Sequence, residues 1–170
     1  MDRPELLRQL ELLHPDCFGW ALSCCRGDRE EAEDVLHTSY ATILEGRVGF
    51  NGRSSTRTWV FGVIRMTARA HRRRKLVRWL RWERPLGTIQ SADPSLDPAA
   101  ALERSDETAR LTRALTILPT RQRELLHLVF YQELTISEAA DVLAISVGTA
   151  RTHYERGKQR LRELLGAERA

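Results

Sequence analysis

Four arginines near the middle of the chain have the spacing needed to neutralise a row of phosphates. They follow one another at steps of four, three and one, which places them on one side of a helix: Arg65, Arg69, Arg72 and Arg73. Residues 51–84 contain 11 basic side chains and one acidic side chain, whereas residues 1–50 contain 5 basic and 10 acidic ones. Because guanidinium groups neutralise phosphates, this segment predicts contact with a polyanion.

A second group of polar and cationic side chains lies near the C-terminus. Between Leu134 and Leu165 the pattern predicts a helix, a tight turn and a second helix, with Thr135 and Glu138 as a capping box at the start. In a helix-turn-helix the N-terminal residues of the second helix contact base edges, and later residues contact phosphates. The sequence therefore predicts base contacts from Thr149, Arg151, Thr152 and His153, and phosphate contacts from Arg156, Lys158 and Arg160.

The elements that position these groups are predicted to be helices. Nearly every periodic segment has helical spacing, and no convincing alternating run indicates a strand. The first helix is expected over Pro4–Cys25 with a possible break at Pro15, the second after Asp28, and the third from about Thr56. The fold class is therefore predicted to be all-α.

The chain is predicted to form two small helical domains joined by a flexible linker. Residues 83–105 contain three prolines, small side chains and scattered acidic residues, a composition that disfavours a packed core. The expected division is a first domain at residues 1–82, a linker at residues 83–107, and a helix-turn-helix domain at residues 108–170.

Both halves resemble the sigma-70 family of transcription initiation factors, particularly its extracytoplasmic-function (ECF) group. The run "LPTRQRELLHLVFYQELTISEAADVLAISVGTARTHYERGKQRLRELL" is similar to region 4, and its most specific part is "SVGTARTHYERGKQRL". "EEAEDVLHTSYATIL" resembles the region 2 helix that binds the polymerase clamp, and "SSTRTWVFGVIRMTARAHRRRK" resembles the promoter-melting helix. The resemblance implies partners: bacterial core RNA polymerase, promoter DNA as duplex and melted single strand, and an anti-sigma protein.

The resemblance also implies roles for individual residues. The polymerase-facing residues would be Glu33, Asp34, Leu36 and His37. The loop at residues 49–55 would hold a base flipped from the minus-ten element, with Phe50 and Asn51 as the candidates. The residues that support or contact the melted strand would be Trp59, Arg65, Thr67, Arg69, His71, Arg72 and Arg73. The C-terminal helix-turn-helix would read the minus-thirty-five element.

Two other classes of protein remain as alternatives. A stand-alone dimeric helix-turn-helix regulator would bind palindromic half-sites, but it has no use for a separate basic, aromatic-bearing helix suited to single strands. A protein that only sequesters another protein would not need the row of arginines. Two other interpretations of "RAHRRRK" are a solvated helix end and a polybasic tail that binds any polyanion. The position of this run beside Trp59 and a Gly-Asn loop argues against both.

Metal binding and catalysis are not expected from the sequence. The possible zinc ligands are poorly spaced: His14, Cys17, Cys24, Cys25 and His37. Phosphate-binding glycine loops, nucleophile elbows, H-E-x-x-H and C-x-x-C motifs are missing, so we expect no enzyme activity, cofactor or small-molecule substrate. Three cysteines, no long apolar run and no export signal favour a cytoplasmic protein.

Overall fold

A computed structural model describes residues 2–82 and 106–167, and every regular element in these two ranges is helical. The first half contains α1 (Arg3–Cys24), α2 (Arg29–Leu44) and α3 (Thr56–Trp82). The second half contains α4 (Asp106–Ile117), α5 (Thr120–Leu126), a π-helical turn (His127–Tyr131), α6 (Ile136–Leu143) and α7 (Val147–Ala167). The predicted all-α fold of two small helical domains is confirmed. Of the predicted linker, all but residues 106 and 107 lies outside the described residues.

Helix starts in the first half follow local capping rules. The side chain of Asp2 accepts a hydrogen bond from the backbone N–H of Glu5 at the start of α1, and Asp28 does the same for Glu31 in α2. The break considered at Pro15 does not occur, because α1 runs through it. Leu10 and Cys17, on either side of Pro15, are both buried, so packing outweighs the lost backbone hydrogen bond.

The first three helices enclose a core centred on Trp20. Its ring is fully buried, as are Phe61 and Ile64 of α3. The indole Nε1 donates a hydrogen bond to the carbonyl oxygen of Phe61 at 3.0 Å, which satisfies the polar atom of the buried ring. This core fixes the orientation of α3, and with it the face that carries the arginines.

In the second half, α6 and α7 form the predicted helix-turn-helix. Thr135 and Glu138 make both bonds of the capping box at the start of α6. These bonds hold the pKa of the Glu138 carboxyl below its ordinary value. At the end of α6, Ala144 adopts the left-handed conformation (φ 50°, ψ 52°), which turns the chain into α7.

The two halves pack against each other. Helix α6 lies on α3, and the π-helical turn contacts α1. Buried side chains of both halves, such as Val60 and Leu143, belong to one continuous apolar cluster. Within residues 2–82 and 106–167, no helix has both the length and the hydropathy needed to cross a membrane.

Candidate nucleic-acid interface

Arg65, the first of the four arginines, is buried between the two halves. Its side chain is on α3, and the residue is 5% exposed. The guanidinium Nε and Nη2 donate to Oε2 of Glu124 on α5 at 3.2 and 3.1 Å, and Nη1 donates to the Leu143 carbonyl oxygen at 3.4 Å. In this arrangement Arg65 is not accessible to DNA, unlike the other three arginines.

The remaining arginines line an open crevice of about 1150 Å³ between α3 and α6. Arg69 and Arg73 are exposed and Arg72 is half-buried, while Asp141 of α6 lies on the opposite wall. Met66, on the same wall as the arginines, is an exposed apolar side chain. This wall is cationic and partly apolar, a combination that suits a flexible anionic strand.

Two polar residues of α3 that were assigned to the melted strand have partners within the protein. The hydroxyl of Thr67 donates to the Val63 carbonyl oxygen one turn earlier, at 3.0 Å. The Nδ1 of His71 lies 3.9 Å from Oε1 of Glu31, and the ammonium of Lys75 lies 3.7 Å from Oε2 of the same carboxylate. Glu31 therefore places a negative charge at the edge of the basic helix.

The loop before α3 is ordered by two local contacts. The rings of Phe50 and Trp59 pack with centroids 5.2 Å apart. The side-chain oxygen of Asn51 accepts a hydrogen bond from the backbone N–H of Arg53, with Gly52 at φ 70° between them. Asn51 and Trp59 line a second crevice of about 810 Å³, whose other wall includes Asp141 and Ser146 of the second half.

The N-terminal part of α7 presents an exposed polar surface. Ser146 accepts a hydrogen bond from the backbone N–H of Thr149, and the hydroxyl of Thr152 donates to the Gly148 carbonyl oxygen. The side chain of Arg151 is exposed. His153 is half-buried.

Further along α7 the predicted phosphate-contacting residues differ in their surroundings. Arg156 and Arg160 are exposed. The ammonium of Lys158 lies 3.3 Å from a carboxylate oxygen of Glu155 and 4.8 Å from the ring centroid of Tyr154. The ammonium of Lys158 therefore already interacts with two side chains of its own helix, Glu155 and Tyr154.

Three of the four predicted polymerase-facing residues lie on the surface of α2. Glu33, Asp34 and His37 are exposed, and Glu33 accepts a hydrogen bond from the Nε of Arg29 at 3.0 Å. Leu36 is 3% exposed and belongs to the core of the first half. Its side chain faces inward with the rest of the apolar stripe of α2, so it is not part of this surface.

Sequence reasoning missed the polar residues that join the halves. Gln132 is 1% exposed, and its side-chain oxygen accepts a hydrogen bond from Arg57 Nη2 at 2.9 Å. Arg57 also pairs with Asp16 at 3.0 Å. Glu124 is 2% exposed and faces Arg65 across 59 positions of sequence. No local pattern connects residues so far apart.

The cysteines are buried and are not arranged as metal ligands. Burial raises the pKa of the Cys17 thiol to about 11 and that of Cys25 to about 12, and it raises the pKa of Cys24 well above the ordinary value. Among the described residues, no three His, Cys, Asp or Glu side chains are grouped closely enough to hold a metal ion.

Comparison with known families matches both halves of the chain. Residues 10–77 match the family model for Sigma-70 region 2, and residues 114–163 match that for Sigma-70, region 4. The ECF RNA polymerase sigma factor RpoE of Cereibacter sphaeroides is 31% identical over 134 residues, which cover 78% of this chain and 71% of that protein. The ECF RNA polymerase sigma factor SigX of Bacillus subtilis is 29% identical over 142 residues, covering 80% of this chain and 71% of that protein.

Two solved structures share the fold. The sigma factor RpoE, in complex with the anti-sigma factor NepR from Bartonella quintana, superposes with a TM-score of 0.75 at 20% identity, over 95% of this chain and 97% of that one. CnrH, in complex with the cytosolic domain of CnrY, superposes with a TM-score of 0.68 at 21% identity, over 98% and 90% of the two chains. Taken with the sequence matches to both sigma-70 regions, this chain belongs to the sigma-70 family and, within it, to the ECF RNA polymerase sigma factors.

Proposed function

We propose that this protein binds bacterial core RNA polymerase and directs promoter-specific initiation of transcription. Residues 1–82 would bind polymerase and open the minus-ten element, residues 108–170 would read the minus-thirty-five element, and residues 83–107 would connect them. The observation that carries this proposal is the presence of two separate cationic surfaces, the arginine-lined wall of α3 and the exposed start of α7. A stand-alone duplex-binding regulator would need only the second.

Opening of the minus-ten element would require no covalent chemistry by the protein. Each base stacked on an aromatic ring contributes about 1–3 kcal/mol to binding of the single strand. Arginines that neutralise phosphates of the same strand add to this binding free energy. The crevice beside Trp59 and Asn51 is the proposed site for a flipped base, with the Phe50 ring packed on Trp59 as its support. Phosphate contacts are proposed for Arg69, Arg72 and Arg73, with Thr67 and His71 beside them.

Reading of the minus-thirty-five element is assigned to the start of α7. Arg151 is the proposed main base reader, because its exposed guanidinium can make paired hydrogen bonds to a guanine edge. Thr149, Thr152 and His153 would contact neighbouring bases. Arg156 and Arg160 would bind phosphates, and Lys158 would contribute less, because Glu155 already holds its ammonium.

Polymerase binding is assigned to the exposed side of α2, through Glu33, Asp34 and His37. We also propose that an anti-sigma protein controls this chain, as NepR and CnrY are found bound to the two structural relatives. Action on core RNA polymerase would place the protein in the bacterial cytoplasm.

The polymerase assignment is tested by replacing Asp34 with the opposite charge. Asp34→Arg should abolish co-elution with core polymerase, and it should leave helicity intact because the side chain is exposed. Glu11→Arg makes the same charge change at an exposed position on α1 and serves as the matched control. A folded Asp34→Arg protein that still binds polymerase like the control would overturn the assignment.

A further inference from the structure

The cations of α3 lie on two opposite sides of the helix. Arg69 and Arg73 are one turn apart, and so are His71 and Lys75. Because each residue advances about 100° around an α-helix, the second pair lies about 200° from the first. The lining of the larger crevice agrees with this geometry, since it includes Arg69 and Arg73 but neither His71 nor Lys75. The two pairs therefore face different surroundings.

The carboxylate of Glu31, in the first turn of α2, faces His71 and Lys75. Its side chain is 12% exposed, and its two oxygens lie 3.9 Å from Nδ1 of His71 and 3.7 Å from the ammonium of Lys75. Both distances are longer than a hydrogen bond. Within residues 2–82 and 106–167, the buried Oε1 of Glu31 accepts no hydrogen bond at all. The contact therefore depends on attraction between charges.

The position of Glu31 is fixed independently of these cations. Its backbone N–H donates to the side chain of Asp28, the residue that caps α2, at 2.9 Å. A negative side chain is favoured at this end of a helix by the helix dipole. The carboxylate is thus a fixed charge, whereas Lys75 has a flexible four-carbon stem and is half exposed. Glu31 restrains Lys75, and not the reverse.

We propose that Glu31 is a positioning residue that holds Lys75 and His71 on the α2 side of α3, away from a bound single strand. The phosphates of the strand then contact α3 only from the side of Arg69 and Arg73. Each additional cation that reaches a phosphate adds attraction that is independent of base sequence. Glu31 therefore limits non-specific binding and fixes the path of the strand. This inference rests on the proposed function, which assigns this strand to the minus-ten element.

The salt dependence of binding tests this role, because it counts the phosphates that are neutralised. The full chain is titrated into a fluorescent oligothymidine at several salt concentrations, and fluorescence anisotropy gives the association constant. On a single strand, the logarithm of this constant falls against the logarithm of salt concentration with a slope of about 0.7 per neutralised phosphate. Glu31→Gln should steepen the slope by about 0.7, because the released Lys75 reaches one more phosphate. Glu30→Gln makes the same charge change at an exposed neighbour and should leave the slope unchanged.

Two further variants separate positioning from a purely structural role of Glu31. Lys75→Gln alone should leave the slope at the wild-type value, whereas Lys75→Gln combined with Glu31→Gln should cancel the increase caused by Glu31→Gln. Arg73→Gln calibrates the measurement and should lower the slope by about 0.7, since this arginine is on the strand side. A change in stability alone would produce none of these differences in slope.

Two outcomes overturn the proposal. The first is a slope that is the same for the wild type and a folded, fully helical Glu31→Gln protein. The second is a loss of slope with Lys75→Gln alone as large as that with Arg73→Gln, because Lys75 would then already contact a phosphate. The second outcome is decisive even where Glu31→Gln does not fold, since Lys75 is 58% exposed. Failure of the wild type to direct initiation counts against the proposed function instead, and the comparison of slopes is unaffected by it.

Discussion

Gly157 of α7 lies so close to Gln122 of α5 that a β-carbon built on the glycine would be 3.2 Å from the Cβ of Gln122 and 3.3 Å from a methyl group of Leu126. These are positions on packed helices with little room to move. Glycine at this position lets α5 and α7 approach closely, because it has no β-carbon. The conformational freedom of glycine is not needed, since Gly157 lies within a regular helix.

Gly157→Ala should therefore lower the free energy of unfolding of the C-terminal half by about 1–3 kcal/mol through overpacking. Gly166→Ala in the same helix is the matched control, because an added β-carbon there meets nothing within 4 Å. Urea denaturation followed by circular dichroism measures both. An equal free energy of unfolding for the two variants would contradict this prediction and show that α5 and α7 move apart enough to accommodate a methyl group without loss of stability.

Burial of His127 predicts that the protein loses stability in mild acid. Desolvation lowers the pKa of this imidazole from 6.5 to about 4, so the folded chain keeps it neutral where the unfolded chain protonates it. Stability should fall as the pH drops below 6.5 towards 4, with a slope near 1.4 kcal/mol per pH unit. His127→Phe should flatten this part of the profile of unfolding free energy against pH. An unchanged profile in the variant would contradict the assignment.

The three cysteines should be unreactive in the folded protein. Their raised thiol pKa values leave little thiolate at mildly alkaline pH, and all three side chains are buried. A chromogenic disulfide reagent should modify them slowly in the native chain and all at once in denaturant. Rapid modification of any one of them in a fully helical sample would contradict this prediction and show that the thiol is accessible for redox chemistry.

Local features of the fold could be predicted from the sequence because their causes are local. The capping box joins Thr135 and Glu138, three residues apart, and the start of α3 at Thr56 follows a glycine-rich loop. Pro15 shows the limit of such rules, since a proline at which a break was considered lies inside a continuous α1, where residues on either side of it are buried.

The candidate site was only partly predictable, because burial of its residues depends on packing between distant parts of the chain. Family resemblance assigned Leu36 to the polymerase surface, but its side chain is buried with the apolar residues of α2. The position of Arg65 depends on Glu124, which belongs to the other half of the chain. Spacing along a helix shows which side chains share a face, but it does not show what will cover that face.

The proposed role of Arg151 as a base reader predicts that its removal changes which minus-thirty-five sequences the protein prefers. Arg151→Ala should cost about 1–3 kcal/mol on the preferred minus-thirty-five sequence and relax the preference at one position. Arg156→Ala, at a proposed phosphate contact, should weaken activity about equally on all sequences. Transcription from promoters substituted one base at a time measures both variants. A uniform loss with Arg151→Ala would reassign that residue to the phosphate backbone.

The most direct test of the account is run-off transcription of a genomic promoter pool by core RNA polymerase, with and without this protein, with start sites mapped by sequencing. We predict new starts that share a bipartite upstream motif. No new starts, together with sequence-specific binding of the protein alone to duplex DNA, would contradict the account and favour a stand-alone regulator.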